Sequence, residues 1–206
     1  MKKIILSLIS FLMMTFSLSA QNFTFDDVCK KLSENPNMTG DFIQEKLLKN
    51  SSRPMKSSGK FIFSPDGLLW KTEKPFPSSM VVTKKFIKQI NSKGVTNVQD
   101  ISQDQIFSNI SLMLTSIFNG NSQEILKVFD VKFSSSEKNW TALLTPKDVQ
   151  ISSVMKSLEL SGILSEYAVI QKMVMTELSE SSTVYNLLNM KFPKELSQDD
   201  KNIFVK

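Results

Sequence analysis

The stretch GKFIFSPDGLLWKTEKPFPSSMVVT, residues 59–83, decides the fold class. Phe61 and Phe63, flanked by Lys60 and Ser64, lie two residues apart and so share one face of an extended segment. Pro65-Asp66-Gly67 supplies a turn. Leu68 and Trp70 then take one face, while Leu69, Lys71 and Glu73 take the other. Pro75-Phe76-Pro77 stops that run, because proline has no N–H to give to a ladder. Met80-Val81-Val82-Thr83 resumes it. Short strands joined by tight turns predict an antiparallel meander.

The same period continues outward. Phe86–Ile90, Phe129–Phe133, Trp140–Thr145, Val154–Leu160, Val169–Leu178 and Thr183–Phe192 read as further strands. Lys93-Gly94, Ser135-Ser136-Glu137, Ser161-Gly162 and Ser179-Glu180-Ser181 read as the turns between them. Together they predict a strongly curved antiparallel sheet or barrel. Two segments follow a helical period instead. Phe25, Val28, Cys29 and Leu32 form one face of a helix over 23–32, ended by Asn35-Pro36-Asn37. From Gln105 to Asn119, Ile106, Phe107, Ile110, Met113, Leu114, Ile117 and Phe118 trace a single apolar stripe, with Asp104 near its start and Gly120 as its C-cap. The opposite face, Ser108, Asn109, Ser111, Thr115 and Ser116, is polar but uncharged. Such a helix is either an ordinary cover for a core or a lid whose outer face slides against a neighbour.

Composition narrows the chemistry. The 206 residues include no histidine, which excludes Ser-His-Asp and Cys-His catalysis and His-based zinc sites. Six scattered glycines make no phosphate loop, and no spacing of Asp and Glu singles out a catalytic pair. No catalytic residue, metal or cofactor is expected. Lys2 and Lys3, the apolar run Ile4–Phe16 and the small residues Ser17, Ser19 and Ala20 read as a signal peptide over residues 1–20, leaving one domain over 21–206. Without Lys2 and Lys3 the net charge of +5 falls to +3, with both signs interspersed, so nothing marks a nucleic-acid surface. The single cysteine, Cys29, forms no internal disulfide and reads as a buried thiol. Fifteen Phe and eleven Met suit either a filled core or an adaptable apolar cavity.

Residues 40–83 resemble the LolA-like periplasmic lipoprotein carriers. The resemblance rests on ordered elements: Phe42-x-Gln44-x-Lys46, Ser58-Gly59-x-Phe61, Leu69-Trp70 followed by Pro75-Phe76, and Val81-Val82-Thr83. Leu143-Leu144-Thr145-Pro146-Lys147 resembles a later strand end of the family, and Phe192-Pro193 its closing region. The resemblance implies a mainly β fold with some α: an incomplete, half-open antiparallel β-barrel whose helices form a lid over a hydrophobic cavity. It implies acyl-chain contacts from Phe42, Phe61, Phe63, Leu68, Trp70, Phe76, Met80 and Val82, and a lid built from Ile106, Phe107, Ile110, Met113, Leu114, Ile117 and Phe118. It further implies a periplasmic monomer that takes acylated lipoproteins from an inner-membrane ABC transporter of the LolCDE type. An outer-membrane acceptor of the LolB type would receive them where one exists. The sequence departs from the family at Ser64, ahead of Pro65, where its best-known members carry an arginine that helps hold the lid shut. Two other readings stand beside the carrier: a lipid or glycolipid shuttle or lipid-sensing regulator on the same fold, and a secreted β-protein with a filled core.

Overall fold

The computed structural model describes residues 23–101, 113 and 115–205, so the expected signal segment lies outside the described residues. The chain begins with α1 (Phe25–Ser33) and six strands: β1 (Met38–Leu47), β2 (Met55–Ser64), β3 (Gly67–Lys74), β4 (Ser78–Thr83), β5 (Phe86–Ile90) and β6 (Thr96–Asp100). After a helical segment that includes residues 115–118 come α2 (Ser122–Val128), β7 (Phe129–Ser136), β8 (Asn139–Pro146) and α3 (Val149–Ser152). The chain closes with β9 (Ser157–Leu164), β10 (Ala168–Thr176), β11 (Ser182–Lys191) and α4 (Gln198–Asn202). All eleven strands join one antiparallel sheet in the order β6-β5-β4-β3-β2-β1-β11-β10-β9-β8-β7. The end strands β6 and β7 are not paired with each other, so the barrel is open, as the resemblance implies. Among the described residues no helix is long and apolar enough to cross a membrane.

Alternation divides the side chains between two layers. Phe42, Phe61, Phe63, Leu68 and Val82 enter the large concave core, together with Trp140, Leu144, Leu158 and Leu160 from the other half of the sheet. Ile62, Leu69, Val81 and Phe86 point to the convex face, where Leu196 and Phe204 from the C-terminal segment cover them. At α1, Thr24 Oγ1 accepts from the Asp27 N–H and Asp27 Oδ2 accepts from the Thr24 N–H, a reciprocal cap. Val28, Cys29 and Leu32 are the helix's buried face. Burial pushes the Cys29 thiol up to about 12, so the thiol is held protonated and unreactive at neutral pH.

Several expectations move. The proposed strand over Val154–Leu160 begins only at Ser157, because Asp148 caps a short helical turn whose end carries Val154 and Met155. Ser161-Gly162 is no turn. Gly162 pairs with Ile170 in mid-ladder, and a Cβ there would lie 1.7 Å from the Val169 carbonyl oxygen. The glycine serves close strand approach, and the chain reverses at Ser165–Tyr167 instead. Gly120 does end its helix as expected. With φ at +62°, it lets its own N–H donate to the Ile117 carbonyl and the Asn121 N–H to the Ser116 carbonyl.

Gly162→Ala should therefore destabilise the protein at or above the upper end of the ~1–3 kcal/mol typical of overpacking. Urea unfolding measures this; a change of a few tenths would return the residue to a turn.

Candidate functional site

The site grows from one aromatic assembly. Trp70 on β3 stacks on Phe42 of β1, with ring centroids 4.0 Å apart and planes at 26°. Phe61 of β2 lies at 5.9 Å, and Tyr185 of β11 meets the indole edge-on at 5.4 Å and 87°. Phe42 and Trp70 come from strands separated by β2, where Phe42 is paired with Gly59. A side chain at Gly59 is excluded, since its Cβ would lie 1.9 Å from the Lys71 carbonyl oxygen.

Above this assembly lies a cavity of about 440 Å³, within the ~300–1,000 Å³ range of small-molecule sites. Leu68, Trp70 and Met80 line it from β3 and β4, and Met113, Ile117 and Phe118 from the helical segment. Val154, Met155, Leu158, Met173 and Met175 form the opposite wall. Thus five of its fourteen lining residues are methionines, whose flexible thioethers conform to irregular apolar shapes. The remaining three, Gln44, Tyr185 and Glu177, form a polar corner. Gln44 and Tyr185 are cross-strand partners. Lys46 Nζ donates to Glu177 Oε1 at 2.6 Å, and this bond holds the Glu177 carboxyl below its ordinary range. Burial pushes the Tyr185 phenol up. Among the described residues no group of three His, Cys, Asp or Glu is arranged to hold a metal ion.

The residues named from sequence divide by depth. Leu68, Trp70 and Met80 line the cavity; Phe42, Phe61, Phe63 and Val82 are buried in the core that supports it. Phe76 does not line it: β3 ends at Lys74, and the following turn carries the ring into solvent at 73% exposure. Of the lid residues, Met113, Ile117 and Phe118 line the cavity, whereas Ile106, Phe107, Ile110 and Leu114 lie outside the described residues. The polar face needs correction at its described end, where Thr115 and Ser116 are buried rather than outward-facing. Phe118 stacks on Phe63 at 4.9 Å, and Gly120 abuts the Cys29 carbonyl, so this end is held between the sheet and α1. Ser64 is buried too, with its hydroxyl accepting from the Asp66 N–H at 3.2 Å across the β2–β3 turn.

Sequence reasoning missed Met173, Met175 and Tyr185 as cavity residues. A register shift between Ile170 and Lys172 changes the parity of β10, so Ile170 and Met173 both turn inward despite their odd spacing.

Residues 34–201 match the family described as outer membrane lipoprotein carrier protein LolA. No curated protein matches the chain. Among solved structures, a LolA superfamily protein from Nitrosomonas europaea is similar at 12% identity and a TM-score of 0.46, over 89% of this chain and 98% of that one. A DUF1329 family protein from Desulfovibrio piger is similar at 11% identity and a TM-score of 0.45, over 87% and 95%.

If the end of the helical segment is anchored as described, Phe118→Ala should cost about 3–5 kcal/mol of stability. It should also raise amide hydrogen exchange across residues 115–121. Unchanged stability with unchanged exchange would mean that the Phe63–Phe118 stack anchors nothing.

Proposed function

We propose, because the chain belongs to the LolA family, that it is a periplasmic carrier which shields the acyl chains of lipoproteins between the inner and outer membranes. The observation that carries this reading is the cavity: an apolar, methionine-rich space beside Trp70, on the concave side of an open sheet. Burying one methylene contributes about 0.8 kcal/mol, so several long chains amount to some tens of kcal/mol and will not leave a membrane unaided. A carrier must also release them. Flexible thioether walls and an open barrel favour moderate, adaptable binding over a tight fit.

On this reading the chain acts by binding alone and is not an enzyme. Leu68, Trp70, Met80 and the methionines of β10 contact the acyl chains. Residues 1–20 are removed on export, and the carrier works as a monomer. It loads at an ABC transporter of the LolCDE type and unloads at a LolB-type acceptor or directly at the outer membrane. In the polar corner the Gln44 amide and the Tyr185 hydroxyl offer donors to the carbonyl oxygens of the linkage where an acyl chain meets its head, beside the Lys46-bonded Glu177.

Mass spectrometry of the natively purified protein tests the cargo. Co-purified acylated protein supports the proposal; free lipid or glycolipid alone would replace it with the shuttle reading. Met173→Glu places an unpaired carboxylate in the cavity wall at a half-buried position. It should lower affinity for a fluorescent fatty acid at least tenfold while the melting temperature stays near that of the parent. Equal loss of folding and binding would mark the cavity wall as plain core.

A further inference from the structure

The strands leave connections on two opposite rims of the sheet. One rim carries the turns at 65–66, 84–85, 137–138 and 165–167; the other carries 48–54, 75–77, 91–95, 147–156 and 177–181. Exposed large apolar side chains divide unequally between them. On the first rim Tyr167 stands alone among the described residues. On the second, every connection has at least one: Leu48, Phe76, Val95, Val149 and Leu178, exposed by between 42% and 81%. A scattered exposed apolar residue needs no explanation, but one on each of five successive hairpins of a single rim is a pattern. In sheet order the tips recur every second strand, about 10 Å apart along the arc.

Cations are interleaved with these tips. Arg53, Lys93 and Lys156 lie on the same connections and take part in none of the described ion pairs. The three acidic residues on the connections are engaged. Glu177 is bonded to Lys46 and Glu180 to Lys49, at 2.6 and 2.8 Å, while Asp148 accepts from the Gln150 and Ile151 N–H groups. Five basic residues on these connections, Lys49, Arg53, Lys93, Lys147 and Lys156, face three acidic ones, so the rim presents isolated apolar tips within a surplus of positive charge. A protein groove is matched by a continuous apolar ridge. Separate tips spaced by cations match a fluid surface that offers hydrocarbon and phosphate everywhere. The cavity reaches this rim as well, since Val154 and Glu177 line it and lie on two of these connections.

We propose that this rim docks on an anionic phospholipid bilayer: the tips enter the interface, the basic side chains meet lipid phosphates, and the cavity is held against the acyl region. This goes beyond the carrier reading and stands on the rim alone.

Flotation of the full protein with vesicles tests it. It should float with phosphatidylcholine vesicles containing phosphatidylglycerol and not with phosphatidylcholine alone, and salt should weaken the association. Arg53→Gln and Lys93→Gln should each lower the partition about fivefold, the value of roughly 1 kcal/mol per basic residue near an anionic surface. Val95→Ser with Leu178→Ser should lower it further, leaving the melting temperature and binding of a soluble fluorescent fatty acid unchanged. No flotation with anionic vesicles, or flotation indifferent to these substitutions, would overturn the proposal. So would a concentration-dependent dimer lost in the same variants, which would make the rim a contact between copies. A failed carrier reading looks different: fatty-acid binding is absent while flotation persists.

Discussion

The absence of a side chain at Gly59 is the constraint on which the site depends. It lets β2 lie close against β3, where a Cβ would sit 1.9 Å from the Lys71 carbonyl oxygen. In that frame the rings of Phe42 and Trp70 meet across β2, while Tyr185 closes on the indole from β11. Four strands, β11, β1, β2 and β3, are tied together by this aromatic assembly. Each such ring pair contributes about 0.5–1.5 kcal/mol beyond its buried area. Trp70 does two things here: one side of its ring braces the sheet, and the rest of it remains available as cavity wall.

The open barrel must be covered twice. On the concave side, α1 and the segment through Phe118 supply the cover, locked to each other at Gly120. On the convex side Leu196 and Phe204 lie over Ile62, Leu69 and Val81. Between the two halves of the sheet the cavity is lined by thioethers flexible enough to conform to what enters it. Local order and an unfilled centre are thus compatible in one fold.

Much of this was legible in the sequence. Phe61, Phe63, Leu68 and Trp70 alternate without interruption through β2 and β3, and the aromatic face falls where strict period two puts it. Gly120 was legible because a helix stripe ending in glycine has one common geometry. What failed has identifiable causes. The shift between Ile170 and Lys172 hides Met173 from any count by twos. Gly162 has the composition of a turn but owes its place to a neighbouring strand, which only tertiary structure reveals. Strand β6, Thr96–Asp100, is almost wholly polar and leaves no periodic trace. The family resemblance placed Phe76 on the cavity wall, but a turn between prolines turns it outward. Of the candidate site, the β3–β4 wall was readable and the β10 wall was not.

A sheet that never closes keeps two free borders. In the described residues β6 and β7 each have a single neighbouring strand, so the outer edge of each is paired with no further strand. Their composition answers this hazard. Thr96, Asn97, Gln99 and Asp100 give one border polar side chains, and Asp130 and Lys132 place opposite charges on successive outward positions of the other. Such borders are poor templates for a further strand. The openness that gives this protein its cavity leaves two strand edges, and their polar side chains make pairing with a further strand unfavourable.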